Sequence, residues 1–215
     1  MLKKAQHNYQ TQLSAFSAKD RKELLLLSTP ALVQDYINAI PFNFEKKGET
    51  CKSPLVVLET QKAHCMEGAM LAVFILGLHG IEGKLLHLQA VRPDDDHVIV
   101  VFKQGDRMGA LSKTNHGVLR YREPVYKSVR ELAMSYFHEY FLHTGEKTLR
   151  AYSRPVSLLR RDMSWVTSSE DLWHIDALLD TAQHFQLMSK QSEGVLRKAE
   201  PIEIAMGKIV QYHKN

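Results

Sequence analysis

Between Cys65 and Gly77 the chain keeps one charged position, Glu67: Met66, Ala69, Met70, Ala72, Val73, Phe74, Ile75 and Leu76 put apolar side chains on every face. A helix apolar all round is a buried helix, so the stretch predicts a central one. Around it the rhythm changes. Leu13, Phe16 and the apolar run 24–27 give a helical reading to residues 1 to about 27. Ser28-Thr29-Pro30 is a helix start, and Leu32, Val33, Tyr36, Ile37 and Ile40 mark the buried face of the helix that follows. A polar loop covers 42–53, and Leu55-Val56-Val57-Leu58 leads into the central helix, which Gly77 and Gly80 are expected to end.

Beyond it the period shortens to two. Residues 84–91 alternate as a strand with Leu86, Leu88 and Ala90 on one side, and 93–96 form a turn. His97-Val98-Ile99-Val100-Val101-Phe102-Lys103 is the most strand-like segment, Gly105-Asp106 a hairpin turn, and 108–113 the returning strand. Together they predict a three-stranded antiparallel meander. Residues 113–124 read as a loop and 125–142 as one amphipathic helix, with Val129, Leu132, Ala133, Tyr136, Phe137 and Tyr140 inward and Gly145 at its end. Segments 149–152 and 156–159, on either side of Pro155, are a short strand or an extended arm. Ser168-Ser169-Glu170-Asp171 is expected to cap a helix through Leu172 to Ala182, and 201–213 to form the last helix. With no repeat and no low-complexity linker, residues 1–215 read as one α+β domain. Its core is expected at about 55–142, a central helix on a small antiparallel sheet, with helical extensions at both ends.

Composition narrows this little. A chain of 215 residues with 44% hydrophobic and 24% charged positions suits one sizeable core. Its longest apolar run is too short to span a bilayer and the lysines at its start precede no apolar signal core, so the expectation is a cytoplasmic protein without a membrane partner. Net charge is +4 and the basic residues are scattered. Arg120, Arg122, Lys127 and Arg130 cluster, as do Arg160 and Arg161, but without interleaved aromatics, so no nucleic-acid partner is expected. Oligomeric state is unspecified.

The chemistry starts at Cys65, where loop becomes helix. Amides and the positive dipole end stabilise a thiolate there; a packed hydrophobe is the other reading of the same residue. A nucleophilic cysteine needs a base and a group to orient it. His97, opening the strongest strand after the acidic turn, fits the base. His64, Cys65, Asp96 and His97 lack metal-ligand spacing, so no metal is expected. Glu67 reads as a carboxylate favouring the helix dipole, and Asp96 as a neighbour of His97 on the opposite sheet face.

The segments 64–72 (His-Cys-Met-Glu-Gly-Ala-Met-Leu-Ala), 78–81 (Leu-His-Gly-Ile) and 95–101 (Asp-Asp-His-Val-Ile-Val-Val) together resemble the transglutaminase-like branch of the papain-like cysteine enzymes. The resemblance covers roughly 55–115, with flanks like those of uncharacterised bacterial proteins. It implies a papain-like core and a Cys-His-Asp triad using Cys65 and His97. Ser112 stands near the expected aspartate, and Asn115 could orient the imidazole instead. The oxyanion donors would be the Cys65 amide and Gln61, which otherwise reads as an ordinary loop residue. The implied activity is cofactor-free acyl chemistry on a peptide or small amide: peptidase, amidase or acyl transferase. A catalytically inactive binding or scaffold protein of the same fold is the alternative.

Overall fold

In the computed structural model the described residues are 2–159 and 162–214, with side chains from residue 6 onward, so the Arg160-Arg161 cluster lies outside them. The N-terminal quarter is helical: α1 (Leu2–Gln12), a 3-10 turn, α2 (Ala18–Leu26) and α3 (Pro30–Ala39). Thr29 caps α3 by accepting from the Leu32 amide at 3.3 Å, with Pro30 in the first turn, as the sequence predicts. A loop leads to α4 (Pro54–Thr60) and then to the central helix α5 (Cys65–Leu78). Every residue of α5 after Cys65 is buried. Gly77 does not end it. It sits in the last turn under the ring of Tyr9, which a Cβ there would approach to 2.5 Å, and Gly80, at φ 73°, makes the exit.

Next come β1 (Lys84–Ala90), β2 (His97–Gln104) and β3 (Arg107–Ser112), the expected meander, with Ile99 opposite Ser112. The sheet is larger than the sequence suggested. With β4 (Arg122–Tyr126), β5 (Leu149–Ser153), β6 (Val156–Ser157) and β7 (His184–Gln186) it has seven strands. They run in the order β4-β3-β2-β1-β5-β7, with β6 beside β1 and every pairing antiparallel. The segment around Pro155 is therefore sheet on both sides, joined to the meander by pairings that no local pattern reveals.

The single helix expected over 125–142 is not formed. Its start, through Tyr126, is edge strand, where Pro124 is tolerated. Ser128 then caps the short α6 (Val129–Met134), and Phe137–Glu139 is a 3-10 turn. Breaking the helix frees Tyr140 Oη to donate to Asp95 O at 2.7 Å and Glu139 to pair with Arg122 at 2.7 Å. The apolar residues named for that helix still face inward. Leu132, Ala133, Tyr136, Phe137 and Tyr140 cover the sheet face made by Leu86, Leu88, Ile99 and Val101.

The other face, with Leu85, Val98, Val100, Phe102 and Leu111, receives α5. α7 (Trp173–Asp180) begins later than expected and without a side-chain cap, because Asp171 instead accepts the Cys51 amide at 2.7 Å. After the short α8 (Lys190–Glu193), α9 (Pro201–Gly207) is half the length its pattern suggested, and the chain beyond it turns, makes one bridge at Val210 and bends at 211–212. The whole is α+β, with its central helix delivering Cys65 to the end of the sheet where β2 begins and β3 finishes.

A candidate thiol site at the start of the central helix

The loop-to-helix junction at Cys65 is built by its neighbours. His64 is the N-cap: its Nδ1 accepts from the Met66 amide at 3.3 Å, while Glu67 Oε2 accepts from the His64 amide at 3.0 Å, closing a capping box. Glu67 is fully buried and also gathers the Thr50 hydroxyl at 2.8 Å, the Lys52 amide at 3.2 Å and the Asn43 carboxamide at 3.1 Å. The dipole role expected for it holds, and the carboxylate additionally ties loop 43–52 to the helix. Cys65 thus sits in a fixed first turn, where its own amide has no carbonyl four residues earlier to serve.

Two imidazoles reach the thiol. Burial by itself pushes the Cys65 thiol up, but hydrogen bonds from His64 and His97 and their positive charge outweigh it and hold the thiol well below its ordinary value. His64 is shifted the opposite way. Its burial disfavours charge, but the hydrogen bond to Cys65, that thiolate's charge and Glu67 carry it up to about 9. Its Nε2 lies 2.8 Å from the Thr50 carbonyl, which can only accept. In the neutral ring Nδ1 accepts from the Met66 amide; once the ring is protonated Nδ1 carries a hydrogen and donates to the neighbouring sulfur instead.

His97 is buried, with Nε2 2.8 Å from Ser112 Oγ. The Ser112 hydroxyl has one proton and gives it to the Leu119 carbonyl, so it accepts from His97 Nε2–H. That tautomer leaves Nδ1 as the nitrogen free to face the thiol. Ser112 is itself fixed, its amide donating to Gln34 Oε1 at 2.8 Å and its carbonyl accepting from Gln34 Nε2 at 2.9 Å. Cys65, His97 and Ser112, named from sequence, are therefore brought together.

Two other sequence-named residues are not. Asn115 does not touch the imidazole. Its Oδ1 accepts from the Tyr212 amide at 2.8 Å and its Nδ2 donates to the Tyr212 carbonyl at 2.9 Å, so its carboxamide is spent on the C-terminal segment. Gln61 is exposed, in the left-handed C-cap of α4 (φ 51°), with Nε2 donating to Leu58 O at 2.6 Å. It does not line the cleft, which leaves the Cys65 amide as the oxyanion donor from the pair named. Asp96 does not serve His97: its carboxylate lies 3.1 Å from His87 Nε2 and accepts from the Ala90 amide at 2.7 Å.

The cleft at Cys65 has a volume of about 540 Å³. Phe42 and Phe44 form one wall, edge to face at 5.2 Å, and Tyr140 and Phe141 another. Lys113, directly after Ser112, is fully buried beside it. Its ammonium donates to the Ile40 carbonyl and lies 5.4 Å over the Tyr212 ring, and burial, with Arg120 nearby, brings it down to about 8. Its stem packs on α5 at Gly68, where a Cβ would come within 2.5 Å of Lys113 Cβ. Sequence reasoning missed His64 as a thiol partner, although its adjacency to Cys65 was visible. It missed Lys113 because nothing in the pattern marks a lysine as buried.

The chain matches no protein-family model and no curated protein. Among the described residues, no three His, Cys, Asp or Glu side chains gather as a metal site, and no helix is long and apolar enough to cross a membrane.

Proposed function

We propose that the protein performs thiol-dependent acyl chemistry on an amide, on a core of the papain-like, transglutaminase-like type. One observation carries the reading: a helix-start thiol held well down by hydrogen bonds from two imidazoles, one of them braced by Ser112. Cys65 as thiolate attacks the amide carbonyl. His97 takes up the thiol proton and returns it to the leaving amine, and the acyl-thioester is resolved by water or by an acceptor amine. The first-turn amide of Cys65 faces the developing oxyanion. His64 keeps the sulfur ionised without needing to shuttle the proton.

A second reading, a binding protein that has kept the fold and lost turnover, is favoured by one specific feature. Ser112 is neutral, so it orients the imidazole but does not stabilise the imidazolium as a carboxylate would. One experiment separates the two. The protein is incubated with a library of short peptide amides and p-nitroanilides, and the intact mass is recorded after an acid quench. An acyl adduct on Cys65, absent from Cys65→Ser, is the expected result. A reactive thiol that never acylates would overturn the catalytic reading in favour of binding.

A further inference from the structure

Beyond α9 the C-terminal segment lies against the edge 115–117, whose Asn115 and His116 line this cleft, through one antiparallel bridge and its flanking hydrogen bonds. Gly117 N donates to Ile209 O at 2.8 Å, Gln211 N donates to Asn115 O at 2.8 Å, and His116 bridges antiparallel to Val210. The Asn115 carboxamide then grips the next residue as a strand would, taking the Tyr212 amide and giving to its carbonyl. Just upstream, His116 Nδ1 donates to Gly207 O at 3.1 Å, and Gly207 lines the cleft together with Asn115 and His116.

Backbone and side chains both hold the segment: besides those main-chain bonds, Tyr212 Oη donates to Asn38 O at 2.9 Å and Gln211 Oε1 accepts from Arg120 Nη1 at 3.1 Å. Ile209 and Gln211 are exposed, and Val210 and Tyr212 are half-buried. The main-chain part of that hold is the kind used in recognition by strand addition, and the side-chain part favours a peptide with a hydroxyl at the Tyr212 position. Asn115 adds a carboxamide that satisfies one residue's N–H and C=O together, a contact any non-proline residue can make. Without the segment, the edge 115–117 would present that carboxamide and those backbone groups to the same cleft that holds Cys65.

We infer that the edge 115–117 with the Asn115 carboxamide is a docking site for an extended peptide, and that residues 208–214 are its resident occupant, displaced when such a peptide enters the cleft. The inference concerns binding and does not need the thiol chemistry to be right. The tether gives the resident segment a high effective concentration, so an untethered peptide competes poorly with it until the segment is loosened.

The test is fluorescence anisotropy with a labelled peptide Lys-Ile-Val-Gln-Tyr-His-Lys, run on the full chain and on a chain ending at Gly207, each carrying Cys65→Ser so that no covalent step intervenes. The shortened chain is expected to bind about tenfold more tightly than the full chain. A peptide with proline at the position of Gln211 or Tyr212, which removes an N–H used by Asn115, is expected to lose at least about tenfold in affinity. A folded shortened chain that does not bind the peptide overturns the inference, as does equal binding of the proline peptides. If the shortened chain does not fold, the full chain with Tyr212→Pro replaces it. There, peptide binding is expected to rise and amide exchange to quicken at 115–117 and 209–211, and no rise in binding overturns the inference. Acylation of Cys65 is read in a separate experiment, so the failure of one idea leaves the other standing.

Discussion

The two cysteines of this chain live 14 residues apart and in opposite chemical circumstances. Cys51 is buried among apolar groups, with Asp176, Glu67 and Asp171 around it, and burial first, then those carboxylates, push its thiol up to about 12. Cys65 also meets desolvation, but two imidazole donors face it and its thiol goes the other way. Burial is thus common to both and decides neither. What separates an inert thiol from a reactive one here is whether protonated nitrogen or carboxylate oxygen surrounds it.

The widest gap this comparison forecasts is in alkylation. At pH 6 iodoacetamide should modify Cys65 roughly a thousandfold faster than Cys51, followed by peptide mass mapping, since a thiol near 12 is almost wholly protonated there. Comparable rates at the two sulfurs would erase the contrast.

Lys113 belongs with Cys51, as a group that burial acts on without an offsetting charge. Its folded-state value of about 8 lies below the ordinary 10.5, so the unfolded chain binds more protons between those limits. Stability must then rise with pH across that window, by on the order of 3 kcal/mol. Urea unfolding from pH 7.5 to 10.5 should show the rise in the native chain and lose it in Lys113→Met. A parallel rise in both would place its origin elsewhere.

The imidazoles should share their effect on Cys65. Losing one donor lets the Cys65 thiol rise toward its ordinary range, so His97→Ala and His64→Ala should each slow alkylation at pH 6, by about tenfold. A rate untouched by His64→Ala would assign the thiol to His97 alone.

The smallest effect tests the cap. His64→Ala should also cost about 1 kcal/mol in thermal unfolding, and His64→Asn should restore that stability without restoring the alkylation rate. Recovery of both together would mean that His64 acts on the thiol merely by holding the helix start.

The parts legible in sequence were those whose pattern is local. The all-apolar run of α5, the alternation of β1 to β3 and the Thr29-Pro30 start each carry their own period; Cys65 and His97 followed from the order of those elements, and Ser112 from the family resemblance. The failures were decided at a distance. Residues 125–142 have a helical period, but Tyr140 is drawn to Asp95 O and Glu139 to Arg122 and the Leu119 amide, partners 17 to 45 positions away. Asn115 has the right chemistry at the right spacing, and the Tyr212 backbone, 97 residues on, takes it first. Gln61 was misassigned because a turn residue's φ sets its direction, and φ is not written in the residue type.

Gly68 and Lys113 have a consequence for the history of this chain. The lysine stem fills the space a side chain at 68 would need, while its neighbour Ser112 braces His97. An alanine at 68 would have to push β3's end away from the helix that bears Cys65, and a smaller residue at 113 would open a void beside it. Neither position is free to drift alone. Because the nearest atom is the Cβ of residue 113, related chains that depart from glycine at 68 should carry glycine at 113, so the two columns of an alignment would change as a pair.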